Sequence, residues 1–358
     1  MDALETGNTN NGSVKLKKRA FGFSQSAEVV LAAFFAEILF QIIAIIFIKN
    51  EAVYTWVVVV ANQILFFGTV VFYCKGKSVS FAEVTGVKRP PKPKYFLLFV
   101  PIAFFSIAAF APLAALVSRL LAKAGYTYSP DYHINFADPV VFTVSLLALC
   151  FLPAIGEESL LRGALMSGTK SKSPLFALFY TSAIFALFHG NAVQLVHQFL
   201  LALVMGYCAL VTRSVWASFT IHFLNNGVAV LLDYGYLNGW VNEDFYAYFS
   251  DSIPSGIFAL CFALSWLALI GLLLLLTILL KKDKEKENGA AYEKGRGLNA
   301  FLLFLSSPSE KEKREEESRS IRFAEPAPQL KGEGVLHIVL VSILVLVLVA
   351  GVLAEVFK

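Results

Sequence analysis

Nine apolar runs, each about as long as a bilayer is thick, leave this chain little choice of fold. A hydrocarbon core of about 30 Å needs about 20 consecutive apolar residues in a helix. On that measure the runs are Ala27–Ile48, Ala52–Cys74, Tyr95–Leu121, Pro139–Met166, Pro174–Gly190, Ala192–Val211, Val215–Asp233, Gly256–Leu280 and Val335–Phe357. The chain is 57% hydrophobic, against about 45–50% for soluble domains. The expected fold is an all-α, polytopic transmembrane helical bundle of about eight or nine spans around a polar intramembrane cavity.

Charge is sorted along the chain. Residues 1–26 form an N-terminal arm that turns basic at Lys15, Lys17, Lys18 and Arg19. The first run lacks the short core and small-residue cleavage site of a signal peptide, so it reads as a retained span. Lys75, Lys77, Lys88, Arg89, Lys92 and Lys94 fill the second loop. Lys170 and Lys172, Arg213, and Lys281 and Lys282 mark later loops on the same side. The alternate loops carry Asp131, Asp138, Asp233, Glu243, Asp244 and Asp251. Basic short loops stay cytoplasmic, so a multi-pass protein of the cell membrane with a cytoplasmic N-terminus is expected. Residues 281–334 carry dense charge of both signs and few apolar side chains, which predicts a disordered cytoplasmic linker. The run that follows, within 335–358, reads as an anchor. Cys74, Cys150, Cys208 and Cys261 have no CxxC spacing, and so suggest neither disulfides nor a thiolate metal site.

Polar residues at bilayer depth are costly and mark functional sites. Four groups stand out: Glu157, Glu158 and Arg162; Phe185 and His189; His222, Asn225 and Asn226; and the weaker Gln194, His197 and Gln198. On a helix Glu157 and Glu158 point about 100° apart and serve different ends. Glu158 and Arg162 are spaced i,i+4 in the favourable order, acid before base. His222 and Asn226 share a face, as do Phe185 and His189. Pro153, four residues before Glu157, removes a backbone bond and is expected to kink its helix. Counted at about 1.5 Å per residue from the inner ends of the runs, Glu157 and His222 lie about 10–15 Å deep, and His189 about 10 Å deeper.

This set suits hydrolysis. A carboxylate and an imidazole hold and deprotonate a water, and a second imidazole with an amide donates to the oxyanion of a tetrahedral intermediate. No Ser or Cys nucleophile stands beside these groups in sequence. Glu157, His189 and His222 are also ligand types for zinc, but no His-Glu-x-x-His helix demands a metal. None is required by the reading favoured here, with zinc as the alternative.

Glu-Glu-x-x-x-Arg, then Phe-x-x-x-His, then His-x-x-x-Asn, each in its own apolar run, resembles the CAAX protease and bacteriocin-processing family of intramembrane endopeptidases. That family is also called CPBP or Abi, and the Ras-converting CAAX prenyl endopeptidase is its eukaryotic relative. The resemblance covers roughly 139–235, which would be the catalytic core. Residues 27–138 would be N-terminal helices, and 236–280 an outer loop and the eighth span. It implies Glu157 as the base that activates water with help from His189, and His222 and Asn226 as the oxyanion hole. Glu158 and Arg162 would hold the site together, with Phe185 in support. Leu161 stands where the family often has Phe. The implied partners are the bilayer and a peptide or lipidated protein, with no nucleic acid. The substrate would be a CAAX-type, other membrane-associated or exported peptide.

Two other classes use similar residues. A catalytically silent scaffold or immunity-type protein would keep the helices and lose the motif, which is intact here. A proton-coupled transporter would place Glu and His in a relay, but transporters often show repeated halves, and this sequence has no internal repeat.

Overall fold

The computed structural model describes residues 21–126, 135–170, 172–250, 255–292, 297–313 and 332–356. The basic residues expected in the N-terminal arm, together with Asp131 and Asp251, lie outside them. Among the described residues the structure is helical, without strands. The membrane-length helices are α1 (Phe23–Phe47), α2 (Glu51–Gly76), α4 (Pro93–Lys123), α5 (Pro139–Thr169), α7 (Leu195–Thr212), α8 (Val215–Leu237), α10 (Ile257–Asn288) and α12 (Glu333–Val356). Shorter helices are α3 (Phe81–Thr85), α6 (Pro174–Phe188), α9 (Glu243–Ser250) and α11 (Gly297–Ser306). Among the described residues, eight helices are thus long and apolar enough to cross a membrane.

The expected fifth span is shorter than its run. Helix α6 has 15 residues and extends about 22 Å at 1.5 Å per residue, short of a full hydrocarbon core. It forms a hairpin with α7, and the hairpin turns at His189 and Gly190 (φ 58°). Short polar caps start the helices that matter here. Asp138 accepts from Val140 and Val141 N–H at α5, Ser173 from Phe176 N–H at α6, and Ser214 from Trp216 N–H at α8. Each satisfies donors that a helix start leaves orphaned.

The core lies where α5, α6, α7 and α8 meet α1, α2 and α4. Phe99, Ile102, Leu160, Leu161, Leu165, Ile184, Phe185, Met205 and Ile221 are fully buried there. Apolar side chains also cover much of the outside. Leu267, Ile270, Leu274 and Ile278 make an exposed stripe along α10, as a lipid-facing helix requires.

The basic loops gather at one end of the bundle. Trp216 Nε1 donates to Val87 O at 2.8 Å, and Ser167 Oγ to Val84 O at 2.5 Å, tying the α3 region to the ends of α5 and α8. Lys92, Lys94 and the Tyr95 hydroxyl all reach Asp283, at 2.7, 2.8 and 2.8 Å, which fixes the end of α10 beside the start of α4. At the other end α9 docks on α4, where the Tyr248 hydroxyl donates to Ala108 O at 2.8 Å.

The expectation of a disordered linker over 281–334 does not hold for its described parts. Helix α10 runs on to Asn288, and α11 packs Leu302 and Leu305 against Val211 of α7. The Asn299 side chain accepts from Ser173 Oγ at 2.8 Å, at the start of α6. Lys284 Nζ donates to the carbonyls of Leu305 and Ser307. Composition missed this because the five-residue apolar patch from Phe301 to Leu305 finds a ready-made apolar surface at the end of the α6–α7 hairpin. Nor is α12 a loose tether. Leu340 and Leu344 are fully buried, and the His337 ring stacks on Phe23 at 3.6 Å between centroids. His337 Nε2 donates to Phe23 O at 2.8 Å, and the Tyr180 hydroxyl donates to Nδ1 at 2.6 Å.

Candidate active site

Helix α5 carries the site and is irregular on both sides of it. Residues Leu146–Phe151 and Ser159–Leu165 are wound as π-helix, and Glu157 and Glu158 lie in the α-helical piece between them. Such wide turns often sit at functional sites. Pro153 explains part of the distortion. It has no N–H to give to the preceding turn. One carbonyl of that turn, Leu149 O, accepts from another helix: Asn226 Nδ2 on α8 donates to it at 2.9 Å.

The two glutamates diverge as their spacing requires. Glu158 turns inward and is completely buried, as is the Arg162 side chain that donates to its Oε1 at 2.9 Å. His222 Nδ1 donates to the same oxygen at 2.9 Å, and His222 is 3% exposed. Arg162 Nη2 donates to Ala202 O of α7 at 3.2 Å, and the guanidinium lies over the Phe185 ring at 4.5 Å. One carboxylate thus ties α5, α6, α7 and α8 into a unit. The motif residues from three separate runs share this centre, although sequence spacing linked only Glu158 with Arg162.

Glu157 faces the other way, toward α2. Its Oε1 accepts from Gln63 Nε2 at 3.0 Å. A side chain at Gly156 would meet the Gln63 backbone oxygen at 2.7 Å, so glycine there lets α2 approach closely enough for Gln63 to reach the carboxylate. Next to Gln63, Asn62 Nδ2 donates to Glu37 Oε1 at 2.9 Å, and Gln41 Nε2 donates to the same oxygen at 3.1 Å. Glu37 lies within electrostatic reach of Glu157. None of these four residues was singled out from the sequence. The available signal was an acid and three amides inside apolar runs, Glu37 and Gln41 among them at i,i+4 spacing.

His189 caps α6. Its Nδ1 donates to Phe185 O at 2.9 Å, so in the neutral ring Nε2 carries the lone pair. The Phe185 ring stands between the two histidines, 4.9 Å from His189 and 5.8 Å from His222 between centroids. Glu157 is within electrostatic reach of His189, as His189 is of His197, which places the weaker Gln194, His197, Gln198 group one step from the centre. The depth difference shrinks on the structure. Helix α5 continues to Thr169, so at about 1.5 Å per residue Glu157 lies about 18 Å from its end and His189 about 22 Å from the start of α6.

Among the described residues, no group of three or more His, Cys, Asp or Glu side chains is arranged to hold a metal ion. The alternative zinc set of Glu157, His189 and His222 therefore does not fit as a ligand group. The Nδ1 atoms of both histidines are turned to protein acceptors, Phe185 O and Glu158.

Helices α5 to α8 hold every motif residue, and residues 139–228 match the family model described as Rce1-like, type II CAAX prenyl endopeptidase. Over this segment the chain is similar to the CAAX protease family. The match starts at the first turn of α5 and ends within α8, just past Asn226, so the matched segment and the polar cluster coincide. The helices outside it, α1 to α4 and α9 to α12, lie beyond the match. No curated protein and no solved structure matches the chain.

Proposed function

We propose that the chain is an intramembrane endopeptidase that hydrolyses a peptide bond in a lipidated, CAAX-type substrate, with other membrane-associated or exported peptides as the wider class. The observation that carries this is the pairing of roles around Phe185. Glu157 stands in an apolar bundle within electrostatic reach of a His189 ring whose Nδ1 proton is committed to Phe185 O.

In the reaction, Glu157 takes a proton from water, and the His189 Nε2 lone pair orients that water. The hydroxide adds to the scissile carbonyl carbon, and the carbonyl oxygen gains the negative charge. His222 Nε2–H and the second Asn226 amide N–H donate to that oxygen. Because His222 Nδ1–H already faces Glu158, donation from Nε2 uses the doubly protonated ring. Collapse of the intermediate breaks the C–N bond, and the proton held on Glu157 passes to the leaving amine. Glu158 and Arg162 keep His222 in place.

The basic end of the bundle is assigned to the cytoplasm on the positive-inside rule, which puts the N-terminus of α1 there in the cell membrane. The test is cleavage by the purified full chain in detergent of a farnesylated peptide ending in a CAAX sequence. The unprenylated peptide and a leader-type peptide serve as comparisons. Cleavage of the prenylated peptide that is lost in Glu157→Gln is expected. A folded protein that cuts none of the three, or a Glu157→Gln variant with full turnover, would overturn the proposal.

A further inference from the structure

Helix α12 lies outside the matched segment, yet it rests on the turn that carries His189. A Cβ at Gly351 would stand 2.9 Å from the Gly190 carbonyl oxygen, and a Cβ at Gly190 would stand 3.8 Å from Val347 Cγ1. The first approach is too close to exist without a shift, and the atom in the way is backbone, which cannot swing aside as a flexible side chain does. Glycine at 351 therefore lets α12 lie directly on the turn. The turn itself is tightly wound. His189 N donates to Ala186 O at 3.3 Å, Gly190 N donates to Leu187 O at 3.0 Å, and Gly190 takes the left-handed conformation at φ 58°. Gly190 is joined directly to His189, so a push on its carbonyl reaches the imidazole through one residue.

The same helix holds α6 at a second point. The Tyr180 hydroxyl donates to His337 Nδ1 at 2.6 Å, and His337 Nε2 donates to Phe23 O at 2.8 Å. Leu340 and Leu344, between the two contact points on α12, are fully buried. Tyr180 meets residue 337 and Gly190 meets residue 351, so α12 runs parallel to α6 and follows it for about 15 Å, from mid-length to its end. A polar side chain at bilayer depth is costly. A helix that served only as an anchor in lipid would need neither an imidazole held at both nitrogens nor a glycine where it crosses the His189 turn.

We propose that α12 is a positioning helix for His189: Gly351 seats it on the turn, and His337 fixes its register along α6. The effect on turnover rests on the peptidase function proposed above; the seat of the imidazole does not. In that reaction the Nε2 lone pair of His189 orients the water from which Glu157 takes a proton, and its aim depends on where the turn is held. A reacting group misplaced by about 1 Å can cost about 10²-fold in rate, so a single methyl group at position 351 is enough to be felt.

The experiment uses the full chain in detergent with the farnesylated peptide. Gly351→Ala is expected to lower kcat by about 10–10²-fold at nearly unchanged KM. In a His189→Ala background the same change should have little further effect, because the group it displaces is gone. His337→Phe keeps a ring to stack on Phe23 and removes the hydrogen bonds to Tyr180 and Phe23. It should lower kcat less, and again only where His189 is present. The two variants act at opposite ends of α12, so one that fails to fold leaves the other. A second readout needs no activity: the magnetic resonance spectrum of protein isotopically labelled at the histidine ring nitrogens, in which the His189 signals are those lost in His189→Ala. Gly351→Ala should move the His189 signals and leave those of His222 in place. Equal losses of kcat with and without His189, a rise in KM alone, or unmoved His189 signals in Gly351→Ala would overturn the proposal. An unaltered protein that cuts no peptide, with His189 signals that do move in Gly351→Ala, would strike the peptidase function and uphold the seat.

Discussion

Asn226 on α8 gives an amide proton to the carbonyl of Leu149 on α5, at 2.9 Å, in the turn before Pro153, a residue with no N–H to donate back along the helix. The same amide thus braces that turn and, through its other N–H, is proposed to hold an oxyanion. The two roles separate in a double-mutant cycle. Asn226→Ala should lower stability by about 1–3 kcal/mol, the usual cost of an orphaned buried acceptor, and turnover by about 10²–10³-fold. Adding Pro153→Ala returns an N–H to α5 and should recover much of the melting temperature without recovering turnover. If turnover returns together with stability, Asn226 is structural only.

Glu157 and Glu158 should fail in different ways. Glu157→Gln removes the basic oxygen and keeps the Gln63 contact in reach, so turnover should fall by about 10²–10⁴-fold with little change in melting temperature. Glu158→Gln leaves Arg162 charged and unpaired in the core, which costs about 3–5 kcal/mol. It also loosens His222, so both stability and turnover should drop. Arg162→Gln should resemble it, and Glu158→Gln with Arg162→Gln should cost less than the sum of the two. Melting temperature and hydrolysis on the four variants decide the assignment; a Glu157→Gln protein as unstable as Glu158→Gln would reverse it.

Gln63 should behave as a positioning residue. Gln63→Leu withdraws a charge-assisted hydrogen bond, typically about 1.5–3 kcal/mol, from the proposed base. Turnover should fall by about tenfold or more at nearly unchanged KM, and Gln63→Asn should restore part of it. A rise in KM alone would place Gln63 in substrate binding instead.

Docking of the insert should survive mild acid. Burial raises the Glu312 carboxyl pKa, but Arg213, the Ser309 hydrogen bonds and Lys284 together outweigh it and hold the group below its ordinary value of 4.5. A carboxylate with a depressed pKa contributes its full stabilisation above the ordinary value and loses it only as pH falls through the lower one. Protection of residues 297–313 from a nonspecific protease should therefore persist down to pH 4.5 and fail below it. In Arg213→Gln the protection should already be weaker at neutral pH. Release of the segment well above 4.5 in the unaltered protein would show that the pair does not control docking.

Much of this was legible along the chain because it depends on local pattern. Apolar length marked the helices, short polar residues marked their starts, and i,i+4 spacing joined Glu158 to Arg162. Run length overstated α6, because the run counted His189 and Gly190, which form the turn after the helix ends at Phe188. Composition failed for the insert, where α11 is stable only because α6 and α7 present Val211 and their ends to it.

The sequence by itself determined a membrane bundle, the motif residues and their order. The structure decided which partner each polar group meets. His222 lies 64 residues from the Glu158 it pairs with, and Gln63 lies 94 residues from Glu157. Such pairings depend on how each helix is rotated about its axis. In a soluble helix the apolar stripe reveals that rotation. A helix in lipid is apolar toward its neighbours and toward the bilayer alike, so its pattern does not say which face turns inward, and only packing settles which glutamate turns to His222 and which to Gln63.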